Sequence, residues 1–315
     1  MRFFKKNKKK KIILIVFLVL LLMLIGVYGS IIWTIHEDMV DIMERDKVSE
    51  EVLRTENVPI IQEEQKNPEV FNVLLVGSDS LDPNAEKGRS DTMMLLSYNA
   101  EENRASVVSF MRDSLVEIPG YGETKLGHSY AYGGVGLTIN TINSVYGLDV
   151  QNYVTINLEN LVNVIDKLGG IEITLTAEEA ELYNAYGLKD LHEGVNHVNG
   201  TEALTHARNR SLDSDFGRTR RQREVMNGIY QKVMETKDPT AILTLVNYCL
   251  TQVKTNMDVN LIYDMAIKVI SAENLEIQQT SIPTQDTYTG GTYEGMSVLF
   301  VDIEANKKVL EEFLY

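Results

Sequence analysis

Apolar and polar positions change period several times along the chain, and each change marks a predicted element. Residues 12–33, "IILIVFLVLLLMLIGVYGSIIW", run for 22 positions without a charge. As a helix this stretch would be about 33 Å long, enough to cross a hydrocarbon core of about 30 Å. Residues 34–68 are strongly charged, with Ile35, Met39, Ile42 and Met43 at helical spacing. They predict a short helix and then a linker through Pro59 and Pro68. From Val70 onward strand and helix periods interleave. "FNVLLVGSD" predicts a buried strand ending in a polar loop. "TMMLLSYNAEENRASVVSFMRDSLVEIP" predicts strand, turn, strand, with residues 99–103 as the connection. "GGVGLTINTINSVYG" predicts a helix, and "NYVTINLENLVNVIDKLGGIEITL" a strand, a helix, a Gly-Gly stop and a strand. "NGTEALTHARNR" opens a helix capped by Asn199 or Thr201, and "RQREVMNGIYQKVMET" forms another amphipathic one. The tail, "LEIQQTSIP" and "GMSVLFVDIEANKKVLEEFLY", adds two strands and a last helix. The expected fold is α/β, a single α-β-α domain around a central mixed sheet over residues 69–315, preceded by one N-terminal transmembrane helix.

Charge fixes the orientation of that helix. The tip, residues 1–11, carries seven positive charges and no negative one, which holds it in the cytoplasm and leaves the domain outside. A cleavable signal peptide is the alternative, but its apolar region is usually about 7–15 residues and "GVYGS" is a poor cleavage site. The chain's formal net charge is −15, so the part beyond the tip carries about −22. Nucleic acid is therefore an unfavourable partner for the external domain. Against this background residues 206–224, "HARNRSLDSDFGRTRRQRE", gather six arginines, which call for a different anion. The single cysteine, Cys249, excludes an intramolecular disulfide framework and reads as a buried structural thiol.

Three polar clusters fall at predicted strand ends or helix starts, where open α/β sheets place ligands. Asp79 in "VGSDS" and Arg89 and Asp91 in "GRSDT" could hold Mg²⁺ against a phosphate. Alternatively, the carboxylates bond nearby backbone amides. Arg112-Asp113 follows directly on an apolar run, with Lys125 further on. Arg208 and Arg210 converge only if their helix ends there, whereas Arg218 and Arg221 share one face of the next helix. Two forked guanidiniums at a helix N-terminus suit a pyrophosphate, the alternative being a solvated basic face. His192 and His197 are wrongly spaced for zinc on a helix, and His128 and His206 read as capping or core residues. Neither a Ser-His-Asp pattern nor a strand–GxGxxG–helix context occurs.

Taken in order, "VGSDS", "RSDTMMLLSYN", "SFMRDSLVEIPGYGETKL", "YAYGG" and "HARNR…DFGRTRRQRE", behind a basic tip and one anchor, resemble the LytR-CpsA-Psr family. The resemblance covers residues 70–235 closely and 236–315 more loosely. It implies an extracytoplasmic phosphotransferase that moves a glycopolymer, such as teichoic acid or capsular polysaccharide, from a polyprenyl pyrophosphate carrier to peptidoglycan. It further implies that Asp79 and Asp91 hold Mg²⁺, with Mn²⁺ as the alternative. Arg89, Arg112, Arg208, Arg210, Arg218 and Arg221 would bind the pyrophosphate, with Lys125 and Gln222 beside them, and Asp79, Asp91 and Arg112 would be catalytic. Arg220 and Arg223 fall outside the matched pattern, so a change at Arg223 is expected to be nearly silent. The lipid calls for an apolar groove between the sheet and the helices from Val225 and Ala241. A binder of anionic wall polymer and an envelope-linked regulator, as in the label transcriptional attenuator, remain the alternatives; the latter is disfavoured by the lack of a DNA-binding motif.

Overall fold

Strand β1 (Val70–Ser78) lies inside a six-stranded sheet and is apolar on both sides of its pleat. Leu74 and Val76 enter the main core, whereas Phe71, Val73 and Leu75 line cavities on the opposite face. Burial on both faces is why "VLLV" reads as an unbroken apolar run. The computed structural model describes residues 66–78, 90–188, 190–236, 239–272 and 274–315. The expected tip and anchor, the linker as far as residue 65, and the loop bearing Asp79 and Arg89 lie outside the described residues. Among the described residues no helix is long and apolar enough to cross a membrane.

The large sheet runs β10 (Glu276–Ile282), β3 (Arg104–Phe110), β2 (Ser90–Asn99), β1, β6 (Asn152–Asn157), β9 (Val253–Thr255). It is mixed: β1 is parallel to β6 and β3 to β10, while the other neighbours are antiparallel. Helices α1 (His128–Tyr146) and α8 (Ile303–Leu314) cover the core face through residues such as Leu137, Ile142, Leu310 and Leu314. A second core gathers α2 (Leu158–Lys167), the hairpin β7 (Ile171–Leu175) and β8 (Gly194–Val198), α3 (Ala177–Ala185), α4 (Gly200–Arg208) and α5 (Asp215–Glu235). Helices α6 (Pro239–Gln252) and α7 (Val259–Ser271) follow. Asn199 rather than Thr201 caps α4, in a reciprocal box with Glu202.

Besides elements that the sequence pattern did not announce, such as β8 and α7, two expectations fail. The run expected to continue as one strand through Arg112 breaks there, and β4 (Ser114–Ile118) joins a second, four-stranded sheet with β5 (Gly122–Lys125), β11 (Tyr288–Tyr293) and β12 (Met296–Val301). Long-range bonds set the break: Met111 N donates to Ile282 O at 2.8 Å, Gly127 N to Arg112 O at 2.9 Å and Leu299 N to Asp113 O at 2.9 Å. The tail contributes three strands, not two. β11 escapes the pattern because Gly290 and Gly291 interrupt it, and the turn to β12 uses positive φ at Glu294 and Gly295.

Candidate active site

The arginine-rich stretch folds as a helix end, a loop and a helix start around one cavity of about 760 Å³. Helix α4 stops at Arg208 because Asn209 turns extended, at φ −60° and ψ 134°. That break brings both Arg208 and Arg210 to the cavity wall, where Arg218 and Gln222 arrive from the first turns of α5. Asp91, near the start of β2, and Arg112, between the two sheets, close the polar end. Leu75, Met94, Ile156, Leu161, Leu204 and Val225 give the wall an apolar part, beside polar residues such as Thr92, Asn157 and Thr205.

Arg218 is the deepest of these cations, at 3% exposure. Its Nη1 lies 3.2 Å from Asp215 Oδ1 as an ion pair, yet among the described residues neither that nitrogen nor Nε has a hydrogen-bond acceptor. Burial, with the charges of Arg210 and Arg112 beside it, pulls Arg218 below the ordinary guanidinium range, against Asp215 and Asp91. Arg112 donates from Nη1 to Asp91 Oδ1 at 2.5 Å, and Arg210 Nη2 reaches the same oxygen at 3.3 Å. Arg112 Nε faces Asp215 Oδ2 at 3.6 Å and Asp113 Oδ2 at 3.9 Å, again without a hydrogen bond. A buried guanidinium with unmet donors, flanked by like charges, favours an anion with several oxygens.

Asp113 and Asp215 form a coupled pair behind these arginines. Burial raises both carboxyls. For Asp113 the hydrogen bond from Asp215, and the bond and charge of Lys125, outweigh it and hold the group below the usual range. Asp215 is held above that range by burial and by its bond to Asp113, despite Arg218 and Arg112. Asp113 is thus the more acidic of the two, and Lys125 Nζ donates to its Oδ1 at 2.8 Å.

The arginines expected to act together part company in the structure. Arg221 does not line the cavity; its guanidinium is buried behind it. Nη1 and Nη2 take Asp213 Oδ2 at 3.0 Å and Oδ1 at 2.6 Å, and Nη2 also donates to Asn209 O at 2.8 Å. Glu179 Oε1 lies 3.3 Å from Nη1. Lys125 faces a separate cleft with Asp113. Arg220 pairs with Glu224 and Glu179 on the outside of α5. Arg223, expected to be idle, turns to the sheet, where Nη1 donates to Ser109 Oγ at 3.0 Å and Ser281 Oγ at 2.7 Å. His206 is a core residue between Tyr183 Oη and Glu224, while His192 and His197 belong to the β7–β8 region. Cys249 is half-buried, and burial pushes its thiol up to about 11.

Beyond the polar end a second cavity, of about 410 Å³, runs along the same face of the sheet. Val73, Leu96, Tyr98, Val154 and Ile277 form its sheet wall, facing Met226 and Tyr230 of α5 and Ile262 and Met265 of α7. Met226 lines both cavities, so the two adjoin. The second helix along it is α7, not α6, which carries Ala241.

Residues 34–313 match the model of the LytR_cpsA_psr family. The chain belongs to this family. The Enterococcus faecalis protein named polyisoprenyl-teichoic acid–peptidoglycan teichoic acid transferase TagU is 33% identical to this LytR-CpsA-Psr chain over 295 residues, 92% of this chain and 90% of TagU. A solved structure of TagT bound to LI-WTA superposes with a TM-score of 0.66 at 26% identity, covering 83% of this chain and 97% of that one. Another, of TagT with bound octaprenyl pyrophosphate lipid, gives 0.62 at 25% identity with the same coverage. Within this family member, sequence patterns alone left Asp113, Asp213 and Asp215 without roles. The signal that separates them is their ion pairing, which depends on where the loop folds back.

Proposed function

We propose that the chain is a membrane-anchored phosphotransferase that moves a glycopolymer, of the teichoic acid or capsular polysaccharide type, from a polyprenyl pyrophosphate carrier to peptidoglycan. The observation that carries this reading is Arg218, a buried guanidinium with unmet donors among the described residues, in a cationic pocket that adjoins an apolar channel at Met226. A lipid pyrophosphate has the matching halves. The names of the relatives, a teichoic acid transferase and a structure with octaprenyl pyrophosphate, support the same substrate class.

In this reading Arg112, Arg208, Arg210, Arg218 and Gln222 grip the pyrophosphate oxygens and the prenyl chain lies along β1, β2 and β6. Arg89 joins them on the strength of its motif. Arg221 sets the loop that presents Arg210, by tying Asp213 and the Asn209 carbonyl to α5. The acceptor oxygen bonds to the phosphorus that carries the polymer, the bond from that phosphorus to the bridging oxygen breaks, and polyprenyl phosphate leaves. Phosphoryl transfer asks the protein mainly for position and opposite charge, which forked guanidiniums provide. Asp91 also suits a hard cation: both its bonds end on Oδ1, and among the described residues Oδ2 accepts none. Asp91 with Asp79 would hold Mg²⁺ or Mn²⁺, which when bound neutralises phosphate charge. Residues 12–33 would anchor the domain outside the cytoplasm, close to the bilayer that holds the carrier.

The test uses the full chain in detergent micelles with a lipid-pyrophosphate-linked polymer and a peptidoglycan oligomer. Release of polyprenyl phosphate, with the polymer in phosphodiester linkage to the glycan, is the expected outcome. Donor retained without release of lipid phosphate would make the chain a binder of wall polymer instead.

A further inference from the structure

Arg112 lines two spaces at once. One is the large cavity; the other is a small polar cleft of about 100 Å³, bounded by Ser90, Asp113, Lys125, Gly127 and His128. The guanidinium thus stands in the wall between them. Three independent features make the cleft a site for a ligand. Ser90 is only 1% exposed, and among the described residues its Oγ has no hydrogen-bond partner. Asp113, anionic and bonded to Lys125, presents a carboxylate beside it. Next to His128, Tyr121 and Tyr132 stack at 4.7 Å with an interplanar angle of 16°, the Tyr132 ring lying 5.8 Å from that of His128. These tyrosines are 54% and 44% exposed, so they form an aromatic shelf that the fold itself does not cover.

A flat, solvent-facing aromatic surface beside a pocket of hydroxyl, carboxylate and ammonium groups fits a carbohydrate. The C–H face of a pyranose packs on rings by dispersion, and its hydroxyls seek both donors and acceptors. The position matters as much as the chemistry. In phosphoryl transfer the attacking and leaving oxygens lie roughly in line on opposite sides of phosphorus. A donor held by Arg112 from the cavity side leaves the cleft side for attack.

We propose that the cleft at Ser90, Asp113, Lys125 and His128, with the Tyr121–Tyr132 shelf, is the acceptor subsite, which takes a glycan hydroxyl whose proton passes to Asp113. This rests on the phosphotransferase reading and adds the acceptor's side of it. The hydroxyl oxygen forms its bond to phosphorus as the bridging P–O bond breaks. The lipid leaves as its monophosphate, and the proton goes from Asp113 to water. Lys125, donating to Asp113 Oδ1 at 2.8 Å, orients the carboxylate and favours its ionised form.

The experiment measures donor affinity and acceptor KM separately on the full chain in micelles, with octaprenyl pyrophosphate as the binding probe and a soluble peptidoglycan oligomer as acceptor. The double variant Tyr121→Ala/Tyr132→Ala should raise the acceptor KM roughly five- to tenfold while donor affinity stays within about twofold. Ser90→Ala, which deletes a hydroxyl that no other group uses, should keep the melting temperature and still raise the acceptor KM. Asp113→Asn should bind donor and lose transfer by about a hundredfold or more. Wild-type acceptor KM in both the tyrosine and serine variants, with donor binding and transfer intact, would overturn the acceptor subsite and leave the transferase reading standing. Failure of the unaltered chain to bind or consume the donor would overturn both.

Discussion

Arg218 and Arg221 lie three positions apart on α5, so on a helical wheel they read as one pair aimed at one anion. In the structure both are buried, but both terminal nitrogens of Arg221 are bonded, to Asp213, Glu179 and a carbonyl, while among the described residues Arg218 keeps Nη1 and Nε unmet at the cavity. Their substitutions should therefore separate. Arg218→Lys removes the fork that an ammonium cannot reproduce, and transfer should fall about ten- to a hundredfold, with unfolding free energy changed by less than about 1 kcal/mol. Arg221→Lys cannot span Asp213 and the Asn209 carbonyl together, and should lower unfolding free energy by about 2 kcal/mol or more. Urea denaturation beside a transfer assay checks both, and equal losses of stability in the two variants would contradict the division. The sequence supplied the residue types and the helical spacing. It could not supply the destination of each guanidinium, because Asp213 approaches only after the loop at 209–214 has closed on Gly217, where a side-chain carbon would collide with that carboxylate.

At the scale of elements, periodicity carried most of the reading, since strands and helices buried on a regular face announce themselves. The failures share a cause. β3 and β4 merged because the apolar pattern runs through Met111, and only bonds from remote backbone at Ile282 and Leu299 split them. β11 was invisible because its glycines are set by cross-strand contact, Gly291 packing under Phe300. Arg223 belongs to this scale as well, because it ties α5 to the sheet through Ser109 of β3 and Ser281 of β10. The expectation of silence there gives way to a structural one. Arg223→Ala should cost about 1–3 kcal/mol in thermal or urea unfolding, from two hydrogen bonds lost by a charged donor. A variant as stable as the original would show that helix and sheet are held without it.

For the molecule as a whole, fold class was legible and the hollow was not. Both faces of the central sheet are apolar, which a sequence reports as a doubly buried sheet, yet only one face is filled by α1 and α8. Whether helices on the other side press down or stand off depends on how α5 and α7 are propped by the second core and by Arg223, beyond the reach of any local pattern. A lipid lying in that channel would complete the protein's interior. Octaprenyl pyrophosphate at a hundred times its Kd should stabilise the chain by about 2.7 kcal/mol, a rise of roughly 5–10 °C in Tm. No shift in a scan with saturating lipid would mean that the channel is not its seat.

A half-filled interior also couples supply to survival. If the carrier lipid fills the channel, chains that bind it would unfold less often than chains that do not, and cellular proteolysis draws on the transiently open population. The lifetime of the protein would then track the pool of its own substrate: when precursor runs short, surplus copies are cleared first, with no sensor beyond an unfinished core.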